Sequence, residues 1–348
     1  MPTATTTMPA VPTPSPAAGA PAPRVLTHSA MDAWGRCEIE YRLSCVERLV
    51  PTAYPPALAV GSAVHAGIEA LHLGLPIGET CRKAAAALGR FLERARTGLT
   101  PDEITDLERR AEFDMARVRA MLGAWADRYL VPWNGAGAHR DRDLEILATE
   151  RVLESPLVNP LTGRASRSFR LAGRLDAIVR RHDDGNGRLV YEFKTTGEGL
   201  DEFVESMSVS AQPAIYQTLA EAESGDEAGP LVGTVLDIIR KPAVRPKKDE
   251  SPQAFGTRAL EAYRSDPDSF FRRVVLPADA HLRREVMVNA WRIADGIRRA
   301  ERFGYVTKRG PACRSAYGPC RYRSLCWHGD ATGLTTKEVE HEEPAGHE

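Results

Sequence analysis

The chain has 348 residues, 43% of them hydrophobic, which is enough for one large or two modest domains with a packed core. Its net charge of −1 at pH 7 excludes a basic footprint over the whole protein, so nucleic acid would have to bind at a local patch. No run approaches the roughly 18 apolar residues of a membrane-spanning helix, and we expect no membrane association.

Both ends of the chain differ in composition from the rest. Residues 1–24 are rich in Pro, Ala and Thr and predict a disordered arm. They contain neither the basic start nor the apolar segment of a secretory signal, so we expect a cytoplasmic protein in a reducing compartment. Residues 331–348 predict an acidic, disordered tail. Residues 25–330 are then expected to form a single domain.

Apolar residues recur at helical spacing through the first third of the chain. They predict helices at 28–45, 58–73, 79–96 and 102–130. The period then changes to two, which predicts strands at 144–154, 168–181 and 188–196, the last two joined by the turn signal HDDGNG. Next come a helix at 210–224, a strand at 231–241, a polar loop at 242–255 and a helix at 279–302. The predicted class is α/β, with a helical N-terminal part, a small mixed sheet and a cysteine-bearing C-terminal segment.

Two charged residues interrupt an apolar strand in the segment LVYEFKTT. Strand side chains alternate, so Glu192 and Lys194 share one face, and Asp176 on the preceding strand is expected near Glu192 across the ladder. Two close carboxylates repel each other unless a cation lies between them, and oxygen ligands favour Mg²⁺ or Mn²⁺. The alternative is a plain salt bridge between Lys194 and a carboxylate. Alternation also predicts one apolar face on the preceding strand, formed by Leu171, Gly173, Leu175, Ala177 and Val179.

The order of these motifs resembles a known nuclease family. GRLDAIV followed by LVYEFKTT resembles the core of the PD-(D/E)xK nucleases, in particular the RecB-like exonuclease branch. GSAVHAGIEAL resembles the early helix of that branch, QPAIYQTLA resembles its Q-x-x-x-Y helix, and DIIRKP resembles the end of the strand that follows. The resemblance spans about residues 28–328 and implies a restriction-endonuclease-like core, a small mixed sheet flanked by helices.

The resemblance also implies roles for individual residues. Asp176, Glu192 and the carbonyl of Phe193 would hold Mg²⁺ or Mn²⁺, and Lys194 would orient the attacking water and offset the charge of the transition state. His65 would be a further metal ligand; without the resemblance it would be interpreted as a packed core histidine.

Further residues complete this expected site. Gln212 and Tyr216 lie on one helix face, where they would contact the DNA backbone or order the site. We interpret His72 as structural. Glu150, on the strand before the hairpin, is a further candidate for the acidic surface.

The chain has six cysteines: Cys37, Cys45, Cys81, Cys313, Cys320 and Cys326. In a reducing compartment, grouped cysteines are better explained by metal or cluster ligation than by disulfides. The segment WGRCEIEYRL resembles the opening of iron–sulfur members of the branch, the AddB-type and CRISPR adaptation nucleases. That resemblance implies a [4Fe–4S] cluster held by Cys37, Cys313, Cys320 and Cys326, as a staple between the two ends of the domain. Zinc and unligated thiols remain the alternatives.

These patterns favour a Mg²⁺- or Mn²⁺-dependent DNA exonuclease for recombination, repair or phage DNA processing, in a bacterium or encoded by a phage. Its expected partners are DNA and a helicase or recombination protein, and the basic segment RKPAVRPKK is the best candidate for contacting phosphates. The alternatives are a non-catalytic DNA-binding subunit of a helicase–nuclease complex and a sequence-specific endonuclease. No Walker A motif occurs, which argues against helicase activity in the chain itself.

Overall fold

The computed structural model describes residues 23–132, 139–182, 187–223, 229–315 and 318–337. Nearly all of the predicted N-terminal arm, residues 338–348 of the predicted tail, the turn at 183–186 and Ser224 at the end of a predicted helix lie outside the described residues. No helix within these ranges is long and apolar enough to cross a membrane.

The helices largely follow the predicted periodicity. They are α1 His28–Arg36, α2 Glu38–Tyr41, α3 Pro56–His72, α4 Ile77–Arg96, α5 Pro101–Tyr129, α6 Leu200–Ser208, α7 Ala211–Glu223, α8 Pro252–Ser265, α9 Ala280–Phe303 and α10 Arg323–His328. The predicted helix at 28–45 is broken, because Cys37 is extended (φ −162°, ψ 126°) and separates α1 from α2, which a π-helical segment Arg42–Val46 continues. At the start of α5, a capping box between Thr100 and Glu103 satisfies backbone N–H groups.

The strands form one large sheet and three small two-stranded pairs among the described residues. They are β1 Arg24–Leu26, β2 Leu49–Pro51, β3 Leu130–Pro132, β4 His139–Asp141, β5 Leu144–Val158, β6 Ala165–Arg181, β7 Arg188–Thr196, β8 Leu231–Arg240, β9 Phe271–Pro277, β10 Arg314–Ser315, β11 Gly318–Pro319 and β12 Leu334–Thr336. The large sheet has the order β1-β6-β7-β8-β9, and β5 also pairs with β6. β7 and β8 run parallel and are joined through α6 and α7, whereas β5, β6 and β7 form an antiparallel meander.

Helices cover the sheet on both faces. One apolar cluster joins α3, α4 and α5 to residues such as Tyr191 and Phe193, and a second joins α1, α7 and α9 to residues such as Leu171 and Val190. Burial on both faces is why β7 reads as a nearly continuous apolar run. The predicted α/β class, with a mixed sheet flanked by helices, is confirmed.

The predicted apolar face of β6 is wrong in one respect. Leu171 and Leu175 pack in the second cluster, whereas Ala177 and Val179 pack in the first. The side-chain alternation therefore changes sides at Asp176, the residue between the two pairs.

Three other expectations fail locally. The predicted loop at 242–255 ends early, because α8 begins at Pro252 behind the N-cap Ser251. α6 and β9 were not predicted. The tail does not begin at residue 331, because β12 pairs with β2 and ties residues 334–336 to the N-terminal part of the fold.

Candidate active site

The candidate site lies where β6 and β7 pair. Ala177 faces Tyr191 at the end of the paired register, and the next residues, Asp176 and Glu192, lie close enough for the charge of Asp176 to raise the pKa of Glu192. The Phe193 amide donates a hydrogen bond of 2.8 Å to Asp176 Oδ2, which fixes this carboxylate against β7. The predicted approach of Asp176 and Glu192 is therefore present in the structure.

Glu192 is the most buried charged group of the site, with 3% of the residue exposed. Its Oε1 atom accepts a hydrogen bond from Lys194 Nζ. Its Oε2 atom is buried and has no hydrogen-bond partner among the residues that the structure describes. Burial raises the pKa of Glu192 to about 7, against the opposing effect of Lys194 and with a further rise from Asp176.

Lys194 lies beside these carboxylates, with 22% of its side chain exposed. Burial lowers its pKa, but Glu192 and Asp176 raise it more strongly, so the ammonium form is held. The lysine thus stays charged beside the carboxylates that it offsets.

His65 reaches the site from α3. Its Nδ1 atom lies 3.6 Å from Asp176 Oδ1, and its ring contacts Phe193 edge-on at 5.0 Å between centroids. A Cβ atom at Gly61 would lie 3.2 Å from Thr195 Oγ1, so glycine at this position permits the close approach of α3 to β7. Burial lowers the pKa of His65, but Asp176 raises it above the ordinary value. The pKa of Asp176 lies below its ordinary value. Burial raises it, but His65, Lys194 and the hydrogen bond from the Phe193 amide together lower it more strongly.

His72, one heptad after His65, lies in a different environment. Its ring is packed between Trp125 and Tyr191, at 5.4 and 5.0 Å between centroids, and its side chain is almost fully buried. Its Nε2 atom lies 3.9 Å from Asp141 Oδ2. This packing agrees with the structural interpretation of His72.

Gln212 and Tyr216 are hydrogen-bonded to each other on α7, with 3.1 Å between Nε2 and the hydroxyl oxygen. The Tyr216 ring packs on β6, where a Cβ atom at Gly173 would meet it at 2.7 Å. The pair thus supports β6 three residues before Asp176. The sequence placed both residues on one helix face, as the structure has them.

Two further carboxylates extend the acidic surface. Glu150 lies on β5 near Asp176, with its backbone in the left-handed region (φ 47°), and it pairs with Arg174. Burial raises the pKa of Glu150, Arg174 lowers it, and the charges of Asp176 and Glu69 raise it again. Glu69 was missed in the sequence; its signal was the i,i+4 spacing from His65 on α3.

The residues of the site offer oxygen and imidazole donors of the kind that a hard divalent ion takes. In the described ranges, however, no group of three or more His, Cys, Asp or Glu side chains is arranged to hold a metal ion. Glu192 Oε1 is bound to Lys194 instead, while Oε2 remains buried and unpaired. That unpaired carboxylate oxygen is the feature of this site that fits a cation.

Four cysteines lie near one another at the C-terminal end of the domain, although among the described residues no three of them are arranged to hold a metal ion. Cys37, Cys320 and Cys326 belong to one small apolar cluster with the buried Tyr322, whose hydroxyl donates to Leu49 O at 2.6 Å. The pKa of the Cys326 thiol is raised by burial, lowered by Lys308, and raised again by its proximity to the three others, Cys37, Cys313 and Cys320. Cys81 lies elsewhere, on α4.

Comparison with known proteins gives one result for the whole domain. The model of the PD-(D/E)XK nuclease superfamily matches residues 25–327, nearly all of the described chain. No curated protein matches the chain significantly. The matched region includes α3, the paired strands β6 and β7, α7 and the four neighbouring cysteines. The chain therefore belongs to the PD-(D/E)XK nuclease superfamily.

Proposed function

We propose that the chain is a Mg²⁺- or Mn²⁺-dependent deoxyribonuclease that degrades DNA from its ends. Nucleases of this superfamily typically use these two ions. The observation that carries the proposal is the buried Oε2 atom of Glu192, which lies near the carboxylate of Asp176 and lacks a hydrogen-bond partner among the described residues. An unsatisfied buried carboxylate oxygen is costly, and a cation bound there would offset the cost.

In this proposal, Asp176, Glu192 and the Phe193 carbonyl hold the divalent ion, with His65 as a further ligand beside Asp176. A bound ion would polarise the scissile phosphate and lower the pKa of a water. Lys194, held in the ammonium form, orients that water and offsets the negative charge of the transition state. Gln212 and Tyr216 support β6 and contact the DNA backbone.

The basic loop after β8 is proposed to contact phosphates. Lys241 N donates to Thr196 O at 2.7 Å, so the loop starts beside the end of β7, two residues beyond Lys194. Arg245, Lys247 and Lys248 in this loop are exposed. Cations next to the proposed reaction centre are suited to holding the phosphate backbone.

A [4Fe–4S] cluster on Cys37, Cys313, Cys320 and Cys326 is proposed as a structural staple. The four thiols are close enough to influence one another, although Cys37 is remote from the others in sequence. Four thiolates suit such a cluster, and zinc is the alternative. The staple would join the two ends of a single domain at residues 25–330, remote from the chemistry.

The rival function is a non-catalytic DNA-binding subunit of a helicase–nuclease complex. The complete set Asp176, Glu192 and Lys194 favours an enzyme, because a subunit that only binds DNA has no need of a charged lysine beside two close carboxylates, one of which is buried. We place the enzyme in recombination, repair or phage DNA processing, with a helicase or recombination protein as its partner, on the resemblance to the RecB-like branch.

One assay separates these possibilities. Purified protein is incubated with end-labelled linear DNA and with covalently closed circles, single- and double-stranded, with Mg²⁺ or Mn²⁺. The proposal expects metal-dependent release of label from linear DNA while circles stay intact. Cleavage of circles would indicate an endonuclease, and binding without cleavage under every condition would favour the rival function.

A further inference from the structure

A groove of about 520 Å³ runs between α1 and α9. Its apolar floor includes Met31, Trp34 and Ile293, all buried. The two helices approach closely here, since a Cβ atom at Gly296 would lie 3.2 Å from the Trp34 ring. The groove is therefore a feature of packed helices and not of a loop.

Two residues that line the groove lie near the proposed site. His28, at the start of α1, lines it, as does Ala211, the residue before Gln212. Burial lowers the pKa of His28, Asp32 opposes this, and the charge of Lys194 lowers it further. Lys194 is thus within electrostatic reach of this part of the groove.

The walls of the groove are basic. The lining contains three arginines, Arg36, Arg292 and Arg309, and one carboxylate, that of Asp32. Arg309 is anchored to α1 through a 2.6 Å hydrogen bond to Gly35 O, and Arg36 pairs with Asp32 and Glu40. Arg292 is exposed, and within the described part of the chain it has no hydrogen-bond or ion-pair partner. Its guanidinium is therefore available to a phosphate.

Exposed aromatic rings occur in the segment that leads to Arg309 and near Lys308, the residue before it. Phe303 and Tyr305 are 83% and 66% exposed, and Tyr305 is four residues before Arg309. Trp327 is 51% exposed, with Lys308 Nζ 4.8 Å from its ring centroid. Large exposed aromatics beside cations are the combination on which unpaired bases stack. Bases in a duplex are already stacked on one another, so this surface suits a single strand.

We propose that the groove between α1 and α9 and the aromatic residues beyond it form a binding track for single-stranded DNA, which leads the strand to the Asp176 and Glu192 site. Phosphates would lie along Arg36, Arg292 and Arg309, and bases would stack on Tyr305 and its exposed neighbours. The track spans about 12 Å along α1 from residue 28 to residue 36, at 1.5 Å per residue. This inference rests on the proposed nuclease function and specifies its substrate as a single-stranded end.

Binding without metal tests the track independently of cleavage. Fluorescence anisotropy with labelled oligothymidylate and with a duplex of equal length is measured in EDTA, over a range of salt concentrations. The variants are Arg292→Ala, Tyr305→Ala and Tyr305→Phe, with Arg110→Ala as the matched exposed control on α5. Circular dichroism melting shows that each variant is folded.

The track predicts tighter binding to the single strand than to the duplex. Tyr305→Ala should weaken single-strand binding on the order of ten-fold, within the range for one stacked base, while Tyr305→Phe keeps the ring and the affinity. Arg292→Ala should also reduce the slope of log K against log salt by about 0.7, one phosphate contact on a single strand. Arg110→Ala should bind like the unmodified protein.

Equal affinity for the duplex, or unchanged binding by either Arg292→Ala or Tyr305→Ala, would overturn the track. Such a result leaves the nuclease proposal standing if cleavage still depends on Asp176. Conversely, single-strand binding through Arg292 and Tyr305 in a protein that cleaves no DNA would support the track and sink the nuclease proposal.

Discussion

At the scale of single residues, Glu192 is the group of the site whose burial as a charged carboxylate costs the most free energy. One oxygen of its buried carboxylate is bound to Lys194, and the other has no partner among the described residues. Leaving a buried polar atom unsatisfied costs about 1–3 kcal/mol, and more for a charged group. Burial accordingly raises the pKa of Glu192 to about 7. A strand that served only for stability would gain by replacing this pair with apolar residues.

His65 is predicted to contribute to metal affinity. A ligating imidazole must be neutral, and the pKa of His65 is raised beside Asp176, so metal affinity should weaken as the pH falls through this raised pKa. His65→Ala should raise the Mn²⁺ concentration needed for half-maximal cleavage and flatten this pH dependence. His281→Ala, exposed on α9, should leave the metal titration unchanged. An unaltered titration for His65→Ala would return this residue to a packing role.

His72 is predicted to make the fold acid-sensitive. Burial lowers its pKa from 6.5 to about 4, although Asp141 opposes this. The unfolded chain takes up the proton as the pH falls through 6.5, and the folded chain does so only near 4, so stability is lost across that window. The loss is about 3 kcal/mol at 1.36 kcal/mol per pKa unit.

Denaturant unfolding from pH 7 down to about pH 4 measures this loss. The variant His72→Gln cannot take up the proton and should lose less stability over the same range. An equal loss in both proteins would assign the acid sensitivity to other groups.

At the scale of elements, the contact between β6 and α7 links the sheet to the Gln212–Tyr216 pair. A Cβ atom at Gly173 would meet the Tyr216 ring at 2.7 Å and Leu219 at 3.0 Å, so a larger residue must displace these two side chains of α7. Gly173→Ala should therefore reduce stability by about 1–3 kcal/mol, the usual cost of overpacking, and should lower cleavage. Adding Tyr216→Leu should restore part of the stability but not the cleavage. If Gly173→Ala melted at the same temperature as the unmodified protein, the contact between β6 and α7 would be shown to tolerate the added methyl group.

Periodicity predicted most elements, and the exceptions have identifiable causes. α6 carries apolar residues at helical spacing, namely Leu200, Phe203, Val204 and Met207. This pattern is short and lies between elements with stronger periodicity, so it gives only a weak signal. α8 was missed because Pro252 was interpreted as a loop signal, whereas proline is favoured in the first turn of a helix. β9 contains Arg273, and its partners Asp141 and Asp237 lie too far away in sequence to be recognised.

The same difference between local patterns and contacts that are distant in sequence applies to the site. Alternation places Glu192 and Lys194 on one side of β7, and the hairpin brings Asp176 near them, because both are local features of the sequence. Glu69 and Glu150 reach the acidic surface through packing of α3 and β5. The change of side at Asp176 in β6 breaks strict alternation, so a period of two could not predict it.

At the scale of the whole molecule, the two ends of the domain are held together. β12 pairs with β2, and the Tyr322 hydroxyl is bonded to Leu49 O. The extended backbone at Cys37 interrupts the helical segment at the cysteine that lies beside this C-terminal segment. Closing so long a loop by ligation would constrain the unfolded chain, on the order of several kcal/mol by analogy with disulfides.

The staple predicts a coloured protein. Purified without oxygen, it should be brown and contain about four irons per chain. Cys37→Ser should lose the colour and much of its thermal stability, whereas Cys45→Ser and Cys81→Ser should keep both. Colourless protein with one zinc would replace the cluster by a zinc staple, and a brown Cys37→Ser protein would move the fourth ligand to Cys45.

The central claim is that Asp176, Glu192 and Lys194 form a metal-dependent phosphodiesterase centre. Its most direct test is the cleavage of end-labelled linear DNA with Mn²⁺ by Asp176→Ala, Glu192→Ala and Lys194→Ala, each shown to be folded, together with Mn²⁺ binding measured by calorimetry. We predict that all three variants lose cleavage, and that Lys194→Ala alone still binds the ion. Full cleavage by any one of these variants, at verified purity, would contradict the account.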